Sequence, residues 1–229
     1  MECQIKSCLF QIIIDISSLP KRFFFPIIRR CLQSDKVTDL LVTYTIPAKY
    51  SQGPLAEDPD DVLPLPLFDD QDPKKSPPQF AFIGIGFLTL RLIELLKDYP
   101  NTSVKLFFPF PPGPPNFQRN QRILNEIMQA IETPRPNIIR VNAYDTSESF
   151  DYICKITTKG QKKAIMAPYG PKPISMAMCI YAALTDSAVY YSQPRVYNPE
   201  YCQGIKCING KAEIYTYCLR LNGNNFYSI

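Results

Sequence analysis

Short continuous apolar runs alternate with stretches of helical periodicity along most of the chain. Residues 9–15 (L-F-Q-I-I-I-D) are an apolar run of strand length ending in a carboxylate, the pattern of a strand covered on both faces. Asp15, Ser17 and Ser18 precede Pro20, so a helix with a serine cap and a proline in its first turn is expected next, kinked or restarted at Pro26. Further strands are predicted at 39–45, 80–85, 104–108, 138–141, 164–167 and 187–192. Helices are predicted after Gly86 as far as Leu96, over 116–132, from a Thr146 or Ser147 cap onward, and from the turn at 168–173 to about Leu184. P-F-P-P-G-P-P at 109–115 reads as a rigid extended turn, and Asn209-Gly210 as the pivot of a C-terminal hairpin within 203–229.

This alternation predicts one Rossmann-like α/β domain over 1–229: a mostly parallel sheet with helices on both faces, closed by a C-terminal β-hairpin. The first strand begins so near the start of the chain that an upstream segment is expected to be missing. Residues 46–79, rich in Pro and Asp with little apolar periodicity, read as a long surface loop. A lid or a partner-binding loop are the other readings of that segment, with a solvated insertion preferred.

Composition narrows the chemistry. With 45% hydrophobic residues the chain has the means for a folded core. A net charge of +4 is too small to mark a groove for long nucleic acid. The chain has no histidine, which removes Ser-His and Cys-His nucleophiles and imidazole metal ligands. Its eight cysteines include no C-x-x-C pair, and several lie in apolar runs, as reduced thiols of a cytoplasmic protein do. Cys202, Cys207 and Cys218 are the one cluster near enough in sequence for a metal or a disulfide. No run is long enough to span a bilayer, so no membrane is expected.

In a parallel sheet the carboxyl ends of the strands share one rim, where helix-start amides point outward unpaired. That rim would collect Asp15 with Ser17 and Ser18, Tyr44 and Thr45, Gly84 and Gly86, Phe110 with Gly113, Tyr144 and Asp145, Tyr169 with Gly170 and Lys172, and Gln193 with Arg195. The turn at 168–173 stands out, because its glycine permits close approach and Lys172 adds a mobile cation. Gly84 and Gly86 lack the third glycine of a dinucleotide fingerprint, and close packing of backbone is the preferred reading there. Hydroxyls, rings and one lysine suit a nucleotide or another phosphorylated small molecule. The alternative is a stiff turn with Lys172 in water. Nothing in the sequence indicates a cofactor.

The early D-I-S (15–17) and the late G-P-K-P-I-S (170–175) together resemble the CRISPR-associated Rossmann-fold sensors, which carry a G-T-K type loop opening a helix. The resemblance implies that Lys172 and Ser175 contact phosphate, that Gly170 allows the approach, and that Ser17 lies across the pocket. Pro171 stands where those sensors have threonine.

Two rivals accompany this expectation of a sensor or regulatory domain. One is a Mg²⁺-dependent nucleotide transferase or hydrolase using Asp15 or Asp145 with Lys172. The other is a protein-interaction module in which 46–79 and the aromatic segment 190–201 dock a partner protein, with a homodimer as a further expectation.

Overall fold

The computed structural model describes residues 9–51, 56–70, 76–86, 96–110, 117–131 and 135–229. In chain order these form β1 (Phe10–Asp15), α1 (Lys21–Gln33), β2 (Val37–Thr45), β3 (Lys49–Tyr50) and β4 (Ala56–Pro64). Next come β5 (Phe80–Gly84), β6 (Ser103–Phe110), α2 (Phe117–Ala130), β7 (Asn137–Asn142), α3 (Thr146–Ile156), β8 (Ala164–Ala167) and α4 (Lys172–Thr185). The chain ends with β9 (Tyr190–Tyr197), β10 (Cys202–Gln203), β11 (Cys207–Ile208), β12 (Lys211–Ala212), β13 (Ile214–Leu221) and β14 (Asn224–Asn225).

The expected single, mostly parallel Rossmann-like sheet does not form. One four-stranded sheet, ordered β7-β6-β5-β8, is all parallel. A second, ordered β1-β2-β13-β14, is mixed: β1 lies parallel to β2, while β13 runs antiparallel to both β2 and β14. The pairs β4/β9, β3/β10 and β11/β12 are antiparallel. The physical reason lies in the tail, because β13 returns to occupy the edge of β2 where a further parallel strand would have continued the sheet.

Other expectations shift locally. The segment read as a solvated excursion contains β4, and Leu65 and Phe68 just beyond it are buried at 4% and 1% exposure. Strand pairing is made by the backbone, so an acidic composition does not forbid it. Helix α1 starts on Pro20 with no side-chain cap and runs through Pro26 as one element. Asp145, rather than Thr146 or Ser147, caps α3 by accepting from the Glu148 amide at 2.9 Å. Pro109 and Phe110 belong to β6; the rest of the proline turn and most of the helix expected after Gly86 lie outside the described residues. The Asn209-Gly210 pivot is present, with φ of 52° and 74°, between β11 and β12.

The parallel sheet is covered on both faces, which is why β5 and β8 read as continuous apolar runs. Ala81, Ile83, Val104 and Leu106 meet Ile123, Leu124 and Ile127 of α2 on one side. On the other, Phe82, Phe107 and Met166 join a core shared with Ile14, Leu40, Val42 and Leu219 of the mixed sheet and with Phe24, Phe25 and Ile28 of α1. Helix α4 is buried from Pro173 to Ala182 and so crosses the centre of this core.

Candidate functional site

Two turns face each other where β1 leads into α1 and β8 leads into α4. They are joined by a reciprocal pair of lysines. Lys21, the first residue of α1, donates from Nζ to the carbonyls of Pro168 and Gly170, the latter at 3.0 Å. Lys172, the first residue of α4, donates to the carbonyls of Ile16 and Ser17, both at 2.6 Å. Helix α3 begins in the same place, since Thr146 Oγ1 donates to the Pro173 carbonyl at 3.0 Å. Three helix N-termini, each with a positive dipole end, therefore converge.

The electrostatics follow from this crowding. Burial pushes the Lys21 ammonium down to about 7, and the like charge of Lys172 adds to the effect. Lys172 is held at about 8 by burial, against the opposing pull of Cys202 and Asp15. Among the described residues neither lysine forms an ion pair with a carboxylate. Burial alone would raise Asp15, but bonds from Ser17 and Thr43, with the Lys172 charge, hold it below its ordinary value. Its Oδ1 accepts from the Ser17 amide at 2.8 Å and its Oδ2 from Thr43 Oγ1 at 2.9 Å.

Asp15, Ser17, Gly170 and Lys172 are thus brought together, but in roles that differ from those expected. Lys172 is not a mobile cation in solvent; it is bound to two backbone oxygens. Ser17 Oγ accepts from the Thr45 amide at 2.8 Å. Ser175 is fully buried, and its hydroxyl donates back to the Pro171 carbonyl at 3.0 Å, a local bond within the first turn of α4. A Cβ on Gly84 would lie 2.9 Å from the Gly170 amide nitrogen, and one on Gly86 2.5 Å from the Tyr169 carbonyl oxygen. These glycines let one turn pack on the other, as close backbone packing requires.

Tyr169 is buried against Tyr191, with ring centroids 5.2 Å apart, and its hydroxyl accepts from the Ser192 amide. Gln193 sits on β9, donating to Tyr197 Oη at 2.7 Å. Asp145 is the exposed cap of α3. The two carboxylates offered for Mg²⁺, Asp15 and Asp145, are each engaged in their own strand exit. Among the described residues no three His, Cys, Asp or Glu group together as metal ligands, and Cys202, Cys207 and Cys218 are free thiols. Among those residues no helix is long and apolar enough to cross a membrane.

Lys21 lies 5.2 Å from the centre of the Tyr191 ring, and Cys202 links Lys172 to a further group of tyrosines. Tyr44 and Tyr215 are cross-strand partners on β2 and β13. Tyr215 stacks on Tyr144 at 5.0 Å and 18°, and Tyr217 Oη donates to the Tyr144 carbonyl at 2.8 Å. Tyr50 meets Tyr201 edge-on at 5.8 Å, and burial drives the Tyr44 hydroxyl up to about 12. Cys202, which acts on the charge of Lys172, belongs to the small β3/β10 pair that carries Tyr50.

Sequence reasoning missed Lys21, Tyr50, Tyr215 and Tyr217 as parts of this site. A signal for the first was present: α1 and α4 both open on lysine and neither has an acid in its first turn, the reverse of what a helix dipole favours. No family model matches the sequence, and no curated protein matches it.

Proposed function

We propose that this chain is a binding module, sensory or regulatory in role and cytoplasmic, for a nucleotide or another phosphorylated small molecule received at the Lys21–Lys172 clasp. The observation that carries the reading is the pair of lysines, one buried and one partly buried, at two converging helix starts, neither ion-paired to a carboxylate among the described residues. An ammonium has three donors, and Lys172 gives its bonds to neutral carbonyls that a phosphate oxygen outcompetes. The tyrosines alongside offer ring faces to a base. The likeness of 15–17 and 170–175 to the CRISPR-associated sensors supports the same ligand class.

Binding an anion raises both lysine pKa values, so the lysines take up protons on binding near neutrality and the ligand's affinity falls as pH rises through about 7 to 8. The test is a thermal-shift panel of mononucleotides, cyclic oligonucleotides, phosphosugars and inorganic phosphate against the wild type and Lys172→Met, at pH 6.5 and 8.5. A ligand at 100 times its Kd stabilises the fold by about 2.7 kcal/mol. The expected result is a shift in wild type at pH 6.5, smaller at pH 8.5 and lost in Lys172→Met. A folded protein shifted by no member of the panel overturns the reading.

A further inference from the structure

The outer edge of β1 has the features of an interface between two copies of this chain. β1 pairs with β2 along one edge, and among the described residues no strand pairs with the other. The amides of Phe10 and Ile16 bond toward β2, to Lys36 and Thr43. By the alternation of a strand, the N–H and C=O groups of Gln11, Ile13 and Asp15 point away from it. The register of β1 with β2 shifts only at Phe10/Gln11, at the start of the strand. From Gln11 to Asp15 there is no lysine, no proline and no break in register. Leu9, Phe10 and Ile13 are 61%, 48% and 69% exposed on it.

The occupant is argued from self-complementarity. Antiparallel pairing of this strand with itself about Ile13 sets Ile13 against Ile13, and Gln11 against Asp15 of the second copy, twice. All three are hydrogen-bonded positions, giving about six backbone bonds in that register. Each flanking pair places a carboxamide donor beside a carboxylate, while the two exposed isoleucines cover each other. Both polar side chains have capacity left. Gln11 Nε2 uses one N–H on Asp39, and each Asp15 oxygen takes one bond from its own chain. A two-fold axis through Ile13 pairs the outward backbone groups of Gln11, Ile13 and Asp15 with one interaction type repeated. We propose that the chain forms a homodimer by antiparallel β1–β1 pairing centred on Ile13, joining the two mixed sheets into one continuous sheet.

This inference needs no ligand; Asp15 is the one residue it shares with the strand exit facing Lys172. It is tested by sedimentation and light scattering of wild type and Ile13→Lys at concentrations on the order of 1 to 100 μM. A parallel test oxidises Ile13→Cys with copper phenanthroline. In the proposed register the two Cα atoms at position 13 stand about 5.5 Å apart, within disulfide reach. The chain holds eight native cysteines, so oxidised wild type is the background. The expected results are a wild-type dimer, a dimer weakened at least tenfold in Ile13→Lys with an unchanged circular-dichroism spectrum, and a cross-linked dimer in Ile13→Cys above background. A wild-type monomer throughout the range, a dimer untouched by Ile13→Lys, or no added cross-link in Ile13→Cys overturns it.

Discussion

Lys21 and Lys172 each clasp the opposite turn through backbone carbonyls. Each ammonium is buried beside backbone carbonyls, which solvate the charge less well than water does, so the folded state holds the proton less tightly than the unfolded chain. With the folded pKa of Lys21 near 7 and the unfolded value near 10.5, the unfolded chain binds more protons between them, and stability rises with pH across that window. Lys172 has the same sign with a window opening near 8. Burial raises the Cys179 thiol well above 9.0, which reverses the trend at higher pH, so the clean interval ends at about 8.5. Between pH 7 and 8.5 wild-type stability is expected to rise by about 1–2 kcal/mol from Lys21, and Lys21→Met to lose that part of the slope. Urea titrations of both proteins at the two pH values measure the difference. Lys21's partners were not legible, because they are carbonyls some 150 positions away and a carbonyl belongs to every residue alike; only its place at a helix start without an acid marked it.

At the scale of elements, the turn after β5 and the turn after β8 act as one unit. Their three glycines lie backbone to backbone, with the Lys21 ammonium bonded to the second turn. Gly86→Ala brings a methyl to 2.5 Å from the Tyr169 carbonyl oxygen, a contact with backbone that no rotamer relieves. It is expected to destabilise by about 1–3 kcal/mol, read as a lower urea midpoint, and to weaken ligand response as Gly170 shifts. Where an element is a parallel strand buried on both faces, its continuous apolar run located it well, and β8 lies over the residues predicted. β1 falls within one residue of its expected span, but against expectation only one of its faces is covered: Ile14 is buried while Gln11, Ile13 and Asp15 are exposed. The strand expected at 187–192 located the start of β9, but its pairing with β4 was not legible, because the partner lies in an acidic, proline-rich segment with no strand alternation.

At the scale of the molecule, the tail ties the mixed sheet to the rest. Arg220 of β13 is 6% exposed and donates to the carbonyls of Leu32 (2.5 Å), Ser34 (2.7 Å) and Val37 (2.8 Å), taking up the C-terminal end of α1, while Asn225 accepts from its Nε. Arg220→Met leaves those carbonyls buried without donors and is expected to cost about 2–4 kcal/mol by chemical denaturation, with Arg220→Lys restoring little because one ammonium cannot span the same acceptors. By itself the sequence determined where the buried strands and amphipathic helices lie, where the Asn-Gly turn falls and which strand exits carry polar groups, because those depend on local burial pattern and backbone preference. The tertiary structure alone decided that β13 docks antiparallel on β2, that two lysines cross between turns, and that the tyrosines of β13 gather with Tyr144. Those are contacts between segments distant in sequence, and their energies come from partners that no local window contains.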